Sequence, residues 1–212
     1  MATPRCPRQR PARSRRSAIM GSLYAETHIR ALQLAKQCVD MGARIRTVSR
    51  ITGLELPMLR SMFYQDTSSA PGRWLESSDW YHRSSVVDRA EASIFAVIFD
   101  TLLVEHGYRP SEALVGAYRL YQERCALAPA IPFERAFNLA CEMHGIWDSG
   151  PPQLALHNCR RCHSRYLVAA GDQTADLGGC VFCKLLKRYH RDPHIQAHFV
   201  AQNVVAIASN VG

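Results

Sequence analysis

The chain has 212 residues, 47% of them hydrophobic and 21% charged, a globular composition that excludes disordered and collagen-like chains. No apolar run reaches the roughly 18 residues that a membrane-spanning helix needs, so we expect neither a membrane protein nor a membrane partner. The formal net charge of +8 favours an anionic partner such as nucleic acid.

The basic charge lies at the two ends of the chain. Residues 1–18 contain six arginines and no acid, residues 19–150 sum to −2, and residues 151–212 sum to +4. Three prolines and little apolar surface predict a disordered arm over 1–18. Three interpretations of the arm remain open: a basic arm that touches DNA, an organelle transit sequence, or a stretch upstream of a true start at Met20.

Helical periodicity dominates from about residue 22 to 147 and predicts a helical domain over 19–148. The first helix carries Ile29 and Leu32 on one face and ends at Gly42. The stretch Ala90–Leu103 is apolar on nearly every side, which predicts a central buried helix. Further helices are expected from Ser111 and from Pro132, and no segment before residue 150 has the alternation of a strand.

Residues 41–64 have the order of a helix-turn-helix. Ile45, Val48 and Ile51 form one helical face, and Thr52-Gly53 makes the turn. A second helix is then expected from Leu56 to Tyr64. We expect its Leu59, Met62 and Phe63 side chains to face inward. Many helical hairpins share this pattern. If the segment binds DNA, the contacting residues are Arg44, Arg46, Arg50 and Arg60.

The strongest motif follows the break at 150–152. Cys159-x-x-Cys162 and Cys180-x-x-Cys183 are separated by 17 residues, a spacing typical of a tetrahedral four-cysteine zinc site. We expect one structural zinc ion whose four cysteine ligands leave no coordination position for water. The zinc module is expected over 153–192 and is followed by a tail over 193–212. An iron–sulfur cluster remains an alternative. The c-type haem motif Cys159–His163 and a redox dithiol fit less well, because an export signal and a thioredoxin-like context are missing.

Seven bases flank the two cysteine pairs, against only three acids in the last 62 residues. We expect them to converge on one face and to contact phosphate groups. The alternative is that they only keep a small module soluble. These bases are Arg160, Arg161, Arg165, Lys184, Lys187, Arg188 and Arg191.

Three segments and the two cysteine pairs together resemble the FlhC family, the zinc-containing subunit of the bacterial flagellar master transcriptional regulator. The segments are Met41-Gly-Ala-Arg44, Ser77-Ser-Asp-Trp80 and Ala117-Tyr-Arg-Leu-Tyr-Gln-Glu-Arg-Cys125. The resemblance covers about residues 24–190. It implies that Cys159, Cys162, Cys180 and Cys183 are the metal ligands.

The resemblance also implies a function. The chain is expected to be a cytoplasmic transcriptional activator rather than an enzyme. It would act in a hetero-oligomer with an FlhD-type partner, bind double-stranded promoter DNA, and recruit the housekeeping RNA polymerase to flagellar class 2 operons. Two alternatives remain open. One is a zinc-stabilised protein-interaction adaptor; the other is a divergent paralogue with a non-flagellar regulon, favoured by the Arg-rich arm and the apolar tail.

Overall fold

The computed structural model describes residues 15–65, 79–125, 131–147, 150–170 and 179–197. Within these ranges no helix has both the length and the apolarity needed to cross a bilayer. Most of the expected arm and tail, residues 1–14 and 198–212, lies outside the described residues. The arm prediction needs one correction. The first helix already begins at Arg15, because the last proline of the arm is Pro11 and helix-compatible residues follow it.

The described chain is mainly α-helical, as predicted, with one antiparallel pair of strands. The helices of the first part are α1 (Arg15–Asp40), α2 (Ile45–Thr52), α3 (Leu56–Phe63), α4 (Asp79–Arg83), α5 (Val86–Asp100), α6 (Pro110–Arg124) and α7 (Phe133–His144). A single π-helical turn, Thr101–Glu105, follows α5. The second part contains β1 (Leu154–Asn158), β2 (Arg165–Ala169) and α8 (Val181–Tyr189).

The predicted helix-turn-helix is confirmed in α2 and α3. Gly53 ends α2 with a φ of 72°, a conformation that costs glycine little, and its N–H donates to the Ser49 carbonyl at 2.8 Å. Leu59 is fully buried, but Met62 is 51% exposed, so its predicted inward position is wrong. Leu59 and Phe63 lie one turn apart and define the inner stripe of α3. Met62 falls about 100° before Phe63, outside that stripe.

Helix α5 is the central buried helix that the sequence predicts. Ala92, Phe95 and Phe99 are fully buried, and α5 contacts α6, α7, β2 and α8. A reciprocal capping box starts the helix: the Asp88 N–H donates to Ser85 Oγ, and the Ser85 N–H donates back to the Asp88 carboxylate. Regular α-helix stops at Asp100, three residues before the predicted end, where the π-helical turn takes over.

The two strands pack directly onto the helices, a feature that the sequence did not reveal. Leu154 of β1 and Leu167 of β2 belong to the main hydrophobic core. The Tyr81 hydroxyl donates to the Leu167 carbonyl at 2.7 Å, and the Leu167 N–H donates to Ser93 Oγ at 3.2 Å. The cysteine-rich part therefore shares the α5 surface with the helical part. Its position does not depend on a metal alone.

A carboxylate of α7 fastens the start of α2. Glu134 accepts hydrogen bonds from the Arg44 backbone N–H at 2.7 Å and from the Thr47 hydroxyl at 2.8 Å. A negative charge at a helix N-terminus also interacts favourably with the helix dipole. These contacts join residues about 90 positions apart and fix the helix-turn-helix on the rest of the helices.

We expect Glu134→Ala to lower the free energy of unfolding by about 1–3 kcal/mol, because two donors at the α2 N-terminus lose their acceptor. Urea denaturation followed by circular dichroism measures this change. Glu123→Ala, which removes an exposed carboxylate from α6, is the matched control and should change stability by less than about 0.5 kcal/mol. Equal effects of the two substitutions would contradict the anchoring role of Glu134.

Candidate metal centre

The four cysteines of the two C-x-x-C pairs meet at one point. Their Sγ atoms all lie within 4.8 Å of one another, with 3.8 Å between Cys159 and Cys183 and 3.6 Å between Cys162 and Cys180. A tetrahedral zinc ion with Zn–S bonds of about 2.3 Å places its sulfurs about 3.8 Å apart. The sulfurs are too far apart for disulfide bonds, which are about 2.05 Å long. The donor set therefore fits a four-coordinate metal ion.

The first cysteine pair occupies the loop that joins β1 to β2. The backbone N–H groups of Arg161 and Cys162 point at the Cys159 sulfur, at 3.4 and 3.5 Å. The loop closes through the His163 N–H, which donates to the Cys159 carbonyl at 2.9 Å. His163 has a φ of 59°, a left-handed conformation uncommon for a residue with a side chain. This tight turn holds both sulfurs on the same side of the loop.

The second cysteine pair lies at the start of α8. Cys180 is the N-cap residue and Cys183 lies in the first turn, where the Lys184 N–H donates to the Cys180 carbonyl at 3.1 Å. Unpaired N–H groups and the helix dipole make this end of a helix favourable for thiolates. The two pairs thus come from different kinds of element, a hairpin loop and a helix N-terminus.

The thiols of the cluster differ in how readily they ionise. Backbone N–H groups of Cys162 and Arg161 lower the pKa of Cys159, whereas burial and the neighbouring thiols raise the pKa of Cys183 to about 12. Burial likewise raises the pKa of Cys180. The four sulfurs do not all ionise at neutral pH by themselves. A divalent cation would supply the charge that stabilises four thiolates and would release protons on binding.

The remaining described cysteines lie in the core, away from the cluster. Cys38, Cys125 and Cys141 are buried, and burial raises the pKa of Cys38 and of Cys125 to about 12. They behave as small apolar side chains. The cluster itself lies in a separate, small hydrophobic core that includes Ala90, Tyr166 and Val181. Two of the five buried members of this core are metal-site cysteines, so the metal site forms much of its centre.

Four bases surround a cavity beside the sulfurs. Arg160 and Arg161, from the hairpin loop, and Lys184 and Lys187, from α8, line a depression of about 370 Å³ together with Cys159, Cys180 and Cys183. His157, Asn158 and Tyr166 also line this depression, and no sequence motif marked Tyr166. An adjoining groove of about 570 Å³ shares Lys184 and Lys187 and extends to Arg188 and Arg191. We call this continuous region the basic surface.

Arg165 does not line the basic surface, so the seven bases do not all converge on one surface as expected. Its guanidinium forms a short ion pair with Asp100 at the end of α5 and contacts Glu105 of the π-helical turn at 3.3 Å. It instead ties β2 to the helical part. The two acids lie 60 and 65 positions away in the sequence, so spacing alone did not reveal them.

The four arginines that the sequence analysis assigns to DNA contact differ in exposure. Arg46, Arg50 and Arg60 are exposed, but Arg44 is half-buried at the N-cap of α2. Arg60 is the single base on the exposed side of the second helix, α3. The other exposed residues of α3 are Leu56, Pro57, Ser61 and Met62.

A family model described as flagellar transcriptional activator FlhC matches residues 21–194. The chain belongs to the FlhC family. This confirms the resemblance first seen in three segments and two cysteine pairs. The family consists of transcriptional regulators rather than enzymes, and its general function is the activation of flagellar genes.

Individual relatives of the FlhC family are similar at modest identity. The flagellar transcriptional regulator FlhC of Paraburkholderia atlantica is 27% identical over 158 residues, which cover 72% of this chain and 69% of the relative. That of Variovorax paradoxus is 25% identical over 161 residues, covering 74% and 75%. That of Proteus mirabilis is 27% identical over 159 residues, covering 72% and 78%.

We expect Cys180→Ser to lose the metal ion and to disorder α8, because one sulfur of the cluster and a central residue of the small core disappear together. Metal analysis of the purified variant and amide exchange over 181–189 measure this. Cys38→Ala, which alters a buried cysteine outside the cluster, should retain one metal ion per chain. Full metal content in the Cys180→Ser variant would disprove the assignment.

His163 tests the turn geometry separately. We expect His163→Gly to keep the metal and the stability of the protein, because glycine adopts a φ of 59° without strain. His163→Val should cost at least about 1–2 kcal/mol, because a branched side chain is poorly accommodated there. Thermal unfolding of the two metal-loaded variants compares them. A valine variant as stable as the glycine variant would show that the turn is not constrained in this way.

Proposed function

We propose that this protein is the DNA-binding subunit of a hetero-oligomer with an FlhD-type partner. In the cytoplasm, this complex binds promoter DNA and activates flagellar class 2 operons with the housekeeping RNA polymerase. Membership of the FlhC family supports the general function. The observation that carries the DNA-binding role is the convergence of bases from the hairpin loop and from α8 on one surface.

The basic surface has the chemistry of a phosphate-binding face. It gathers six exposed bases, Arg160, Arg161, Lys184, Lys187, Arg188 and Arg191, with Asp192 at its far end. Arginine and lysine contacts to phosphate position a protein on the duplex but do not read its sequence. This surface would therefore supply affinity and salt dependence more than specificity.

Recognition of the DNA sequence would depend on residues outside the basic surface. Arg60 and Ser61 of α3 are the exposed polar residues of the second helix and are candidates for base contacts, while Arg46 and Arg50, which are exposed on α2, would contact the DNA backbone. So few groups cannot specify a long site. We therefore assign the remaining specificity to the partner subunit and to DNA shape.

The metal ion in this proposal is zinc, with a structural role. Four cysteines complete a tetrahedral shell and leave no position for water or substrate. Cys159, Cys162, Cys180 and Cys183 would hold the ion, and the ion would hold the hairpin loop against the start of α8. The bases next to these cysteines are thereby kept on one surface.

DNA affinity of the complex should fall steeply with salt, because each neutralised phosphate releases counterions. We expect Lys187→Ala to weaken binding and to reduce the slope of log affinity against log salt by about 1. Fluorescence anisotropy with labelled promoter duplex measures both. Lys36→Ala, an exposed lysine of α1 paired with Asp40, is the matched control and should leave the slope unchanged.

Two results would replace this proposal with the alternatives. A stable complex with an FlhD-type partner that never binds duplex DNA would identify an interaction adaptor. A complex that binds DNA but ignores flagellar class 2 promoters would identify a paralogue with another regulon. Flat affinity between low and moderate salt would contradict the phosphate-binding role of the basic surface.

A further inference from the structure

The cavity beside the metal site is unusual in its lining. It is lined by Cys159, Cys180 and Cys183 together with Arg160, Arg161, Lys184 and Lys187. Cys183 is only half-buried. The same depression thus combines an exposed side of the sulfur cluster with four cations.

The cations and the metal ligands are also linked along the backbone. Arg160 and Arg161 are the two residues between Cys159 and Cys162, and Lys184 directly follows Cys183. A metal ion that fixes the sulfurs therefore fixes where these bases point. Conversely, an anion held by the bases would cover the exposed side of the sulfur cluster.

We propose that this cavity seats one phosphate group of bound DNA, and that phosphate binding and metal retention stabilise each other. The inference rests on the proposed DNA-binding function and adds a regulatory property to it. Coupling between two ligands is reciprocal: if the metal raises DNA affinity by some factor, DNA raises metal affinity by the same factor. Promoter-bound protein therefore keeps its metal when free protein loses it.

The test measures metal release from the zinc-loaded full-length protein in complex with its partner. Zinc transfer to a colorimetric chelator is followed with and without saturating promoter duplex, and DNA occupancy is read by anisotropy in the same sample. We expect DNA to slow release, and to raise the zinc affinity measured at the end point of transfer by about 5-fold or more, the lower end of typical coupling. Alkylation of Cys183 by uncharged iodoacetamide should slow in parallel, which separates coverage of the cavity from repulsion of a charged chelator.

Two variants locate the effect. At saturating DNA, Arg161→Ala should lose the protection, because it removes a cation from the lining of the cavity. Arg191→Ala, in the adjoining groove, should weaken DNA affinity but keep the protection once DNA is saturating. Each rate is compared with that of the same variant without DNA, so any intrinsic change in metal affinity cancels.

The outcomes are distinguishable. DNA that binds without changing release or alkylation overturns the coupling and leaves the proposed function intact. Failure of the complex to bind DNA overturns both. Equal protection by inorganic phosphate or a nucleoside triphosphate at concentrations matched in phosphate would assign the cavity to a small free anion and overturn its assignment to DNA.

Discussion

The packing of α5 supports both parts of the molecule. One side of this helix buries Phe95 and Phe99 against α6 and α7, and other sides contact β2 and α8. Burial of an aromatic side chain contributes about 1.5–3 kcal/mol, so this helix is a major source of stability. Because the cysteine-rich hairpin rests on the same helix, the geometry of the metal site is set partly by the helical core.

This shared helix explains why the cysteine-rich part can be small. A module of about 40 residues seldom buries enough apolar surface to fold alone. Here the hairpin places Leu154 and Leu167 in the main core, and Tyr81 and Ser93 hydrogen-bond the backbone carbonyl and N–H of Leu167. A metal ion would then only have to join the hairpin loop to α8. Among the described residues, the other contacts at this junction are mainly those of the small core around Tyr166 and Val181.

Local patterns could be predicted from the sequence and long-range contacts could not. The spacing of Cys159, Cys162, Cys180 and Cys183, the buried helix α5 and the α2–α3 turn all follow from short-range periodicity, and the structure contains each of them. The ion pair of Arg165 with Asp100 and the anchoring of α2 by Glu134 join distant positions, on which no spacing rule bears. The two strands escaped notice because each is only five residues long and buried residues do not alternate with exposed ones along it.

The stretch between the two cysteine pairs has an evolutionary consequence. Seventeen residues separate Cys162 from Cys180, and a metal bound at both ends closes them into a loop. The entropy of loop closure grows only logarithmically, so doubling this length costs about 0.6 kcal/mol. Insertions after β2, between Ala169 and Cys180, are therefore thermodynamically cheap, whereas an insertion inside β2 would break its pairing with β1 and one inside either C-x-x-C turn would separate two ligands. The segment after β2 can therefore change in length while the four sulfurs stay together.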